Sequence, residues 1–376
     1  MCERKLRIAH ITEAPLGGVV THLQELISVQ VLDRRVEAVV TLSPEINSEV
    51  LNSIKSEKLQ VNSIRYSRGS PIGLARLAIS SIRLIRSFQP DILHLHSTIA
   101  GAVIRTCLLF VPGRPKVIYC PHSWAFTRED SFLKNKAIAV VERLLSYITD
   151  GIVCVSDCEK EDAVAAGIAP SKCTVIANGV HHRPISALLN DRTSRAQSAP
   201  LKILFVGRFD RQKGFDVFID VMKELRGNAE GLAIGSFVID KSDPIKIPPN
   251  VVNLGWRSRE EVQEIYSKVD LLLMPSRWEG LPIVALEAMR AGIPIFASRV
   301  GGLKEVVIDG VTGKLFDPEQ SNEIAEMIRS ANKETLRAYG LDGRARFVRH
   351  YRSEVMSERM TSLYLTVSPN QVMSSH

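Results

Sequence analysis

No apolar run in this 376-residue chain approaches the roughly 20 residues that cross a bilayer, and Met1–Arg7 leads into a strand rather than a signal peptide. A membrane-spanning or secreted protein is thereby set aside, and a cytoplasmic one is expected. Cysteine is sparse and unpatterned: Cys2, Cys107, Cys120, Cys154, Cys158 and Cys173 form no CxxC pair and no zinc spacing, so reduced thiols are the simplest expectation. The dinucleotide fingerprint GxGxxG is absent, which argues against a dehydrogenase. There is no DxD and no metal-ligand cluster by spacing, so no metal and no cofactor are expected. Nor does any recognition motif or aromatic–basic interleaving accompany the basic residues, which sets nucleic acid aside as a partner.

Length favours two domains over one, and 45% hydrophobic with 24% charged residues fits an ordinary soluble globular chain. The net charge of +7 is uneven. Residues 1–199 hold 24 Lys and Arg against 18 Asp and Glu, whereas the rest holds 24 against 23. A one-sided excess points to an anionic partner of the first half, either a membrane surface or a phosphorylated acceptor.

Strands and helices alternate along the chain. Leu6–Thr12 reads as a buried strand, followed by a turn at Gly17-Gly18 where paired glycines let backbone approach a ligand at a helix N-terminus. Glu37–Leu42 reads as a strand, Ser48–Glu57 as a helix, Gly73–Phe88 as a helix and Ile92–His96 as a strand. The helix 73–88 carries arginines at 76, 83 and 86 beside an apolar face, and Arg128–Leu145 is a second basic amphipathic segment. Both are candidates for partial membrane contact. His94 and His96 are expected to point away from each other, with His96 near an acceptor. His122 follows the strand Val117–Tyr119, at the end of the sheet where ligands bind in open α/β folds. Further strands are expected at Ile152–Ser156 and Thr174–Ile176. Pro184–Pro200 is polar and without periodicity, a linker. A second domain opens with the strand Leu201–Val206. A last helix, Ala345–Leu365, is expected to return to the first domain, with disorder from Pro369.

The most informative stretch is Val269–Ser298. VDLLLMP is a strand buried on both faces, followed by the loop Ser276–Leu281, then a helix over Ile283–Ala291 with Pro282 in its first turn. Strand, loop and helix start together make an anion site. Glu279 lies in the loop and Glu287 on the helix. Upstream, GRFDRQKG places Arg208 and Lys213 on either side of a turn into a helix, two cations suited to phosphate oxygens.

SRWEGLPIVALEAMRAGIPIFAS, with GRFDRQKG, Asn178-Gly179-Val180 and Gly301-Gly302…Glu305, resembles the signature of retaining, nucleotide-sugar-dependent glycosyltransferases of family 4 (glycosyl transferases group 1). The resemblance covers nearly the whole chain. It implies an α/β GT-B fold, two Rossmann-like βαβ domains facing each other across a cleft. The expected boundaries are an acceptor domain at 1–183, a linker at 184–199, a donor domain at 200–350 and a returning helix with tail at 351–376. By the same resemblance Glu279 contacts the transferred sugar, Glu287 holds the ribose hydroxyls, and the amides around Gly280, Leu281, Pro282, Ile283 and Val284 face the diphosphate. Arg208 and Lys213 neutralise that diphosphate as it leaves, Gly17 and Gly18 lie over the donor phosphates, His122 sits beside the donor sugar, and Arg257 meets the base through its main chain. Two departures stand out: His181-His182 replaces the usual Asp after the NGV turn, and Gly235-Ser236-Phe237 replaces a GxG turn.

The implied activity is metal-independent retaining transfer of a hexosyl unit from a UDP- or GDP-linked sugar to a glycan or polyprenyl-diphosphate-linked acceptor. Bacterial surface polysaccharide synthesis, of the lipopolysaccharide or exopolysaccharide kind, on the inner face of the cell membrane is the expected setting. A nucleotide-sugar 2-epimerase of the same architecture and a non-catalytic nucleotide-sugar-binding protein are the rival readings.

Overall fold

The computed structural model describes residues 5–183, 199–237 and 245–368, apart from Leu16 and Arg68. The chain divides into two compact units, Met1–His181 with Ser353–His376, and His182–Arg352.

The first unit is built on seven strands: β1 Leu6–Thr12, β2 Val36–Pro44, β3 Leu59–Ile64, β4 Ile92–His96, β5 Lys116–Cys120, β6 Gly151–Cys154 and β7 Cys173–Val175. Their order is β3-β2-β1-β4-β5-β6-β7, and every pair is parallel. β4 and β6 are buried along their whole length, as parallel strands covered on both faces must be. The order reverses between β1 and β4, so the loops leaving their C-terminal ends diverge and leave a crevice.

The second unit repeats the plan with six strands. They are β8 Leu201–Val206, β9 Ala229–Ile234, β10 Val251–Gly255, β11 Leu271–Met274, β12 Ile295–Ser298 and β13 Gly313–Phe316. They run β10-β9-β8-β11-β12-β13, again all parallel. The reversal falls between β8 and β11, the two strands that lead into the candidate loops 207–214 and 275–282. Phe205, Phe215 and Phe218 of the β8 side pack with Leu271, Leu273 and Phe296 in one core. The helix Ile283–Arg290 is buried on nearly all sides, which explains its apolar sequence.

Some expectations are corrected. The helix from Ser48 ends at Asn52 instead of continuing to Glu57, because the Lys58 carbonyl accepts from Val39 N–H at 2.8 Å and draws the chain back to the sheet. The last helical region is two helices, Lys333–His350 and Ser353–Val367. The break occurs where Ser353 leaves the second unit and bonds to Val180 O at 3.1 Å and, through Oγ, to Glu25 at 3.0 Å. Pro282 stands as the residue capping its helix, one position before the first turn. The expected linker, save its edges, and the tail from Pro369 lie outside the described residues.

The helices Thr98–Leu108 and Phe132–Ser146 of the first unit are clamped by a buried ion pair. Arg105 Nη2 meets Glu142 Oε2 at 2.6 Å, both side chains being almost fully enclosed. Tyr119 Oη donates to Glu142 Oε1 at 3.1 Å, and the guanidinium lies 3.8 Å from the Tyr119 ring centre. Glu142→Leu leaves the Arg105 charge buried without its counter-charge, so it should destabilise by roughly 3–5 kcal/mol. The double change Arg105→Met with Glu142→Leu should recover much of that loss. Equilibrium urea unfolding of the three proteins checks this, and a Glu142→Leu protein as stable as the parent would contradict it.

Candidate active site

In the second unit the turn after β8 ends at Gly214, which adopts φ 68° and begins the helix Phe215–Glu224. A Cβ there would lie 1.9 Å from Pro275 O, so only glycine lets this turn rest on the strand end of β11. Lys213, held next to it, extends its ammonium to Glu279 Oε1 at 2.5 Å. Ser276 Oγ donates to the same oxygen at 2.9 Å. Glu279 is therefore anchored by a cation from one switch-point loop and a hydroxyl from its own. Arg208 is more open and pairs with Asp210 at 3.1 Å and with Gln212 Oε1 at 2.5 Å. Gln212 joins the two loops, because Arg277 N donates to its carbonyl at 2.8 Å.

Arg277 is a structural clamp that the sequence did not single out. Its guanidinium grips both oxygens of Asp216 at 2.9 and 2.8 Å, and its Nε meets Glu319 at 3.0 Å. The Asp216 carboxylate drives the Arg277 pKa up, and Arg277 in turn holds Asp216 below the usual carboxylate range against the opposing effect of burial. Gly301 and Gly302 press on the same loop from the other side. Cβ atoms there would fall 1.9 Å from Glu279 O and 2.2 Å from Gly280 O, and Gly302 N donates to Gly280 O at 2.8 Å. The conformation of Glu279-Gly280 is thus set by backbone contact.

Pro282 offers no side-chain cap to the first turn of helix Ile283–Arg290, and no acidic residue sits there. The amide end of this helix is accordingly suited to an external anion. Glu287, on the same helix and buried, pairs with Arg259 Nε at 3.0 Å. Arg259 escaped notice in the sequence because it lies 28 positions upstream. The Arg257 side chain turns to Glu261 at 2.9 Å, beside the capping box of Ser258 and Glu261.

In the first unit Gly17 takes φ 142° at the start of helix Gly18–Gln30, with open space where a Cβ would stand. His122 and Ser123 both have positive φ, 55° and 101°. Glu159, from CEKEDAV, holds this turn: its carboxylate accepts from Ser123 N at 2.5 Å and Val155 N at 2.6 Å. Its own carbonyl accepts from Trp124 Nε1 at 2.8 Å.

The expectation that His94 and His96 point apart is wrong. Residues two apart on a strand share a face, and these ring centres are 4.0 Å apart. Five imidazoles gather there. His10 is paired with His94 in the β1–β4 register, and His10 Nδ1 is 3.0 Å from His96 Nε2. His96 Nδ1 is 3.0 Å from His122 Nε2. His22 Nδ1 is 2.9 Å from Asn178 Oδ1, and His94 Nδ1 is 2.6 Å from Tyr364 Oη. The expectation of no cluster able to ligate a metal is also corrected, since nitrogens of His10, His94 and His96, and of His22, His96 and His122, lie within 4.8 Å of one another. Spacing hides the cluster because its members come from separate strands and helices.

Two Rossmann-like units, each an all-parallel sheet with its own switch point, are the architecture of the GT-B transferases. The fold comparison agrees: an Anabaena protein crystallised with UDP-glucose superposes with a TM-score of 0.79 over 96% of this chain and 100% of its own, at 17% identity. The model of Glycosyltransferase Family 4 matches residues 16–183, and that of Glycosyl transferases group 1 matches residues 189–347. An uncharacterized 41.2 kDa protein in the cps region of Klebsiella pneumoniae is 32% identical over 332 residues, 86% of this chain and 90% of its own length. The chain belongs to Glycosyltransferase Family 4. A further relative, an Escherichia coli UDP-Gal:alpha-D-GlcNAc-diphosphoundecaprenol alpha-1,3-galactosyltransferase, is 23% identical over 78% of this chain and 80% of its own.

Burial depresses the pKa of all five histidines: His10 and His22 fall from 6.5 to about 4, and His94, His96 and His122 also lie well below 6.5. The unfolded chain then binds more protons than the fold between about pH 6.5 and 4. Stability is full above about pH 6.5 and falls as the pH drops from there towards 4. Thermal unfolding should show a flat Tm down to about pH 7 and a steep decline below about 6.5. A Tm unchanged to about pH 5 would mean that the rings are not buried neutral.

Proposed function

We propose that this transferase moves a hexosyl unit, with retention, from a UDP- or GDP-linked sugar to a polyprenyl-diphosphate-linked saccharide in surface polysaccharide synthesis. The observation that carries this reading is the Lys213–Glu279 pair, in which a cation and a carboxylate meet beside an uncapped helix start. Retaining transfer proceeds through an oxocarbenium-like state in which negative charge grows on the leaving diphosphate. Arg208, Lys213 and the amides at Leu281–Val284 would meet that charge, in place of a metal ion. In the resting site Lys213 is neutralised by Glu279, so an arriving diphosphate competes for the ammonium. Glu279 is then free to face the sugar, while Glu287, steadied by Arg259, takes the ribose hydroxyls. The acceptor class is supported by the lipid-linked substrate in the name of the E. coli relative, and a UDP-linked donor by the UDP-glucose complex of the Anabaena protein.

A thermal-shift panel of UDP, GDP and ADP, followed by transfer assays with the matching sugars, tests the donor. Incubation with the nucleotide sugar alone should yield no epimer. Glu287→Gln should weaken nucleoside diphosphate binding roughly tenfold or more, the scale of one charge-assisted hydrogen bond. Glu279→Gln should leave that affinity nearly unchanged and lower turnover roughly a hundredfold. Equal loss of nucleoside diphosphate affinity in both variants would show that the two carboxylates do not divide these roles.

We also propose that the first unit rests on an anionic membrane at the cytoplasmic face. No described helix is long and apolar enough to cross a membrane. On helix Phe132–Ser146, however, Phe132 and Leu133 are each 77% exposed, and Leu144 and Tyr147 are exposed as well. Lys134, Lys136 and Arg143 are exposed on the same helix, and Phe110 at the end of the neighbouring helix is 83% exposed. Apolar anchors beside cations suit an interface with anionic lipid. Vesicles containing phosphatidylglycerol should sediment the protein at low salt and release it as salt rises. Phe132→Glu with Leu133→Glu should abolish sedimentation, and undiminished binding by that variant would remove this surface from the reading.

A further inference from the structure

We propose that His122 is locked as its Nε2–H tautomer by a chain of imidazoles anchored on Gln30, so that it meets a bound hydroxyl only as a hydrogen-bond acceptor through Nδ1. The inner end of the imidazole chain is an oxygen, which cannot donate. The carboxamide oxygen of the fully buried Gln30 lies 2.9 Å from His10 Nε2, so His10 carries its proton on Nε2. A neutral imidazole has one N–H, which leaves His10 Nδ1 bare. His96 Nε2, 3.0 Å away, must therefore donate to it. That leaves His96 Nδ1 bare and obliges His122 Nε2, at 3.0 Å, to donate in turn. His122 Nδ1 ends the chain as a lone pair.

The direction is carried by the carboxamide oxygen at His10 and by the neutrality of the rings, the Gln30 amide nitrogen itself being buried with no hydrogen-bond partner among the described residues. The rings are neutral, because burial is the largest influence on each of them, and the groups bonded to them are one another, Gln30, Asn178 and the Tyr364 hydroxyl. A neutral amide at the inner end provides no counter-charge for an imidazolium, so the chain orients His122 and does not store a proton. His22 follows the opposite rule. Asn178 Oδ1 requires a proton on His22 Nδ1, which leaves the buried Nε2 bare and without a partner in the protein. The His22 and His122 ring centres are 4.6 Å apart.

The same nitrogens suggest a divalent metal site, but the chemistry disfavours it. Close pairs at 3.0 Å are already hydrogen-bonded, and neutral imidazoles alone would have to carry a buried double charge. That the hydroxyl belongs to a sugar rests on the transferase reading; the tautomer does not.

The test uses the full chain labelled with ring-15N histidine, with resonances assigned by single His→Gln variants. Long-range 15N–1H correlation at about pH 7.5 should show Nε2–H at His10, His96 and His122, and Nδ1–H at His22. Nδ1–H at His122, which a reversed Gln30 would produce, overturns the proposal, as does stoichiometric Zn2+ binding that removes these N–H signals. Gln30→Leu should yield mixed tautomers along the chain, whereas Gln30→Glu, which keeps an accepting oxygen, should preserve them. Unchanged tautomers in Gln30→Leu would remove Gln30 as the anchor. In transfer assays Gln30→Leu should lower kcat roughly tenfold at unchanged donor KM, and Gln30→Glu should lose less. A packing role predicts the reverse order, since leucine fills the space and glutamate buries a charge. Absence of any transfer by the parent protein would sink the transferase reading and leave the tautomer result standing.

Discussion

Parallel pairing is the constraint on which the rest depends. With every named strand in both sheets running the same way, all C-terminal strand ends of a unit share one edge, and all the loops that leave them crowd there. The interior of such a sheet is mostly apolar, with the buried imidazoles of His10 and His94 as an exception in the first unit. Polar groups therefore collect at the edge, where strand order reverses and helix amide ends arrive. His96 closes β4, His122 follows β5, Arg208 follows β8 and Glu279 follows β11. Chemistry sits where topology leaves room for it.

Much of this was legible because it is local. The run 269–298 shows strand, loop and helix in order, and the structure places them within a residue or two of the expected bounds. The Lys213–Glu279 meeting follows from two loops that share a switch point. What stayed hidden depends on distance along the chain. His10 and His22 look like ordinary residues of a strand and a helix, and only the β1–β4 register and the packing of helix Gly18–Gln30 bring them to His96. Arg259 and Glu159 have the same character, acting on partners 28 and 36 positions away. The error about His94 and His96 was different in kind. A period of two puts such residues side by side, so the motif LHLH already contained the pair.

In the first unit the groups hydrogen-bonded to the five rings are uncharged. Five imidazoles are satisfied largely by one another and by Gln30, Asn178 and Tyr364, so the energetic weight falls on geometry rather than on ion pairs. The loops of the second unit take the opposite approach. There Lys213–Glu279, Arg259–Glu287 and Arg277–Asp216 hold the site with charge. The first arrangement orients neutral groups, and the second leaves cations to be claimed by an anion.

The helix Ser353–Val367 completes the first unit with residues made after the second. Tyr364 reaches His94 across 270 positions, and Ser353 reaches Glu25 across 328. On a ribosome the seven-stranded sheet emerges first yet must wait, with one side of helix Gly18–Gln30 uncovered, until the whole second unit has been synthesised. The second unit is continuous and has all its strands earlier. Translation thus imposes an order on maturation: the half with the charged loops is finished while the half with the imidazoles is still open, and the last helix acts as the latch that ends the vulnerable interval.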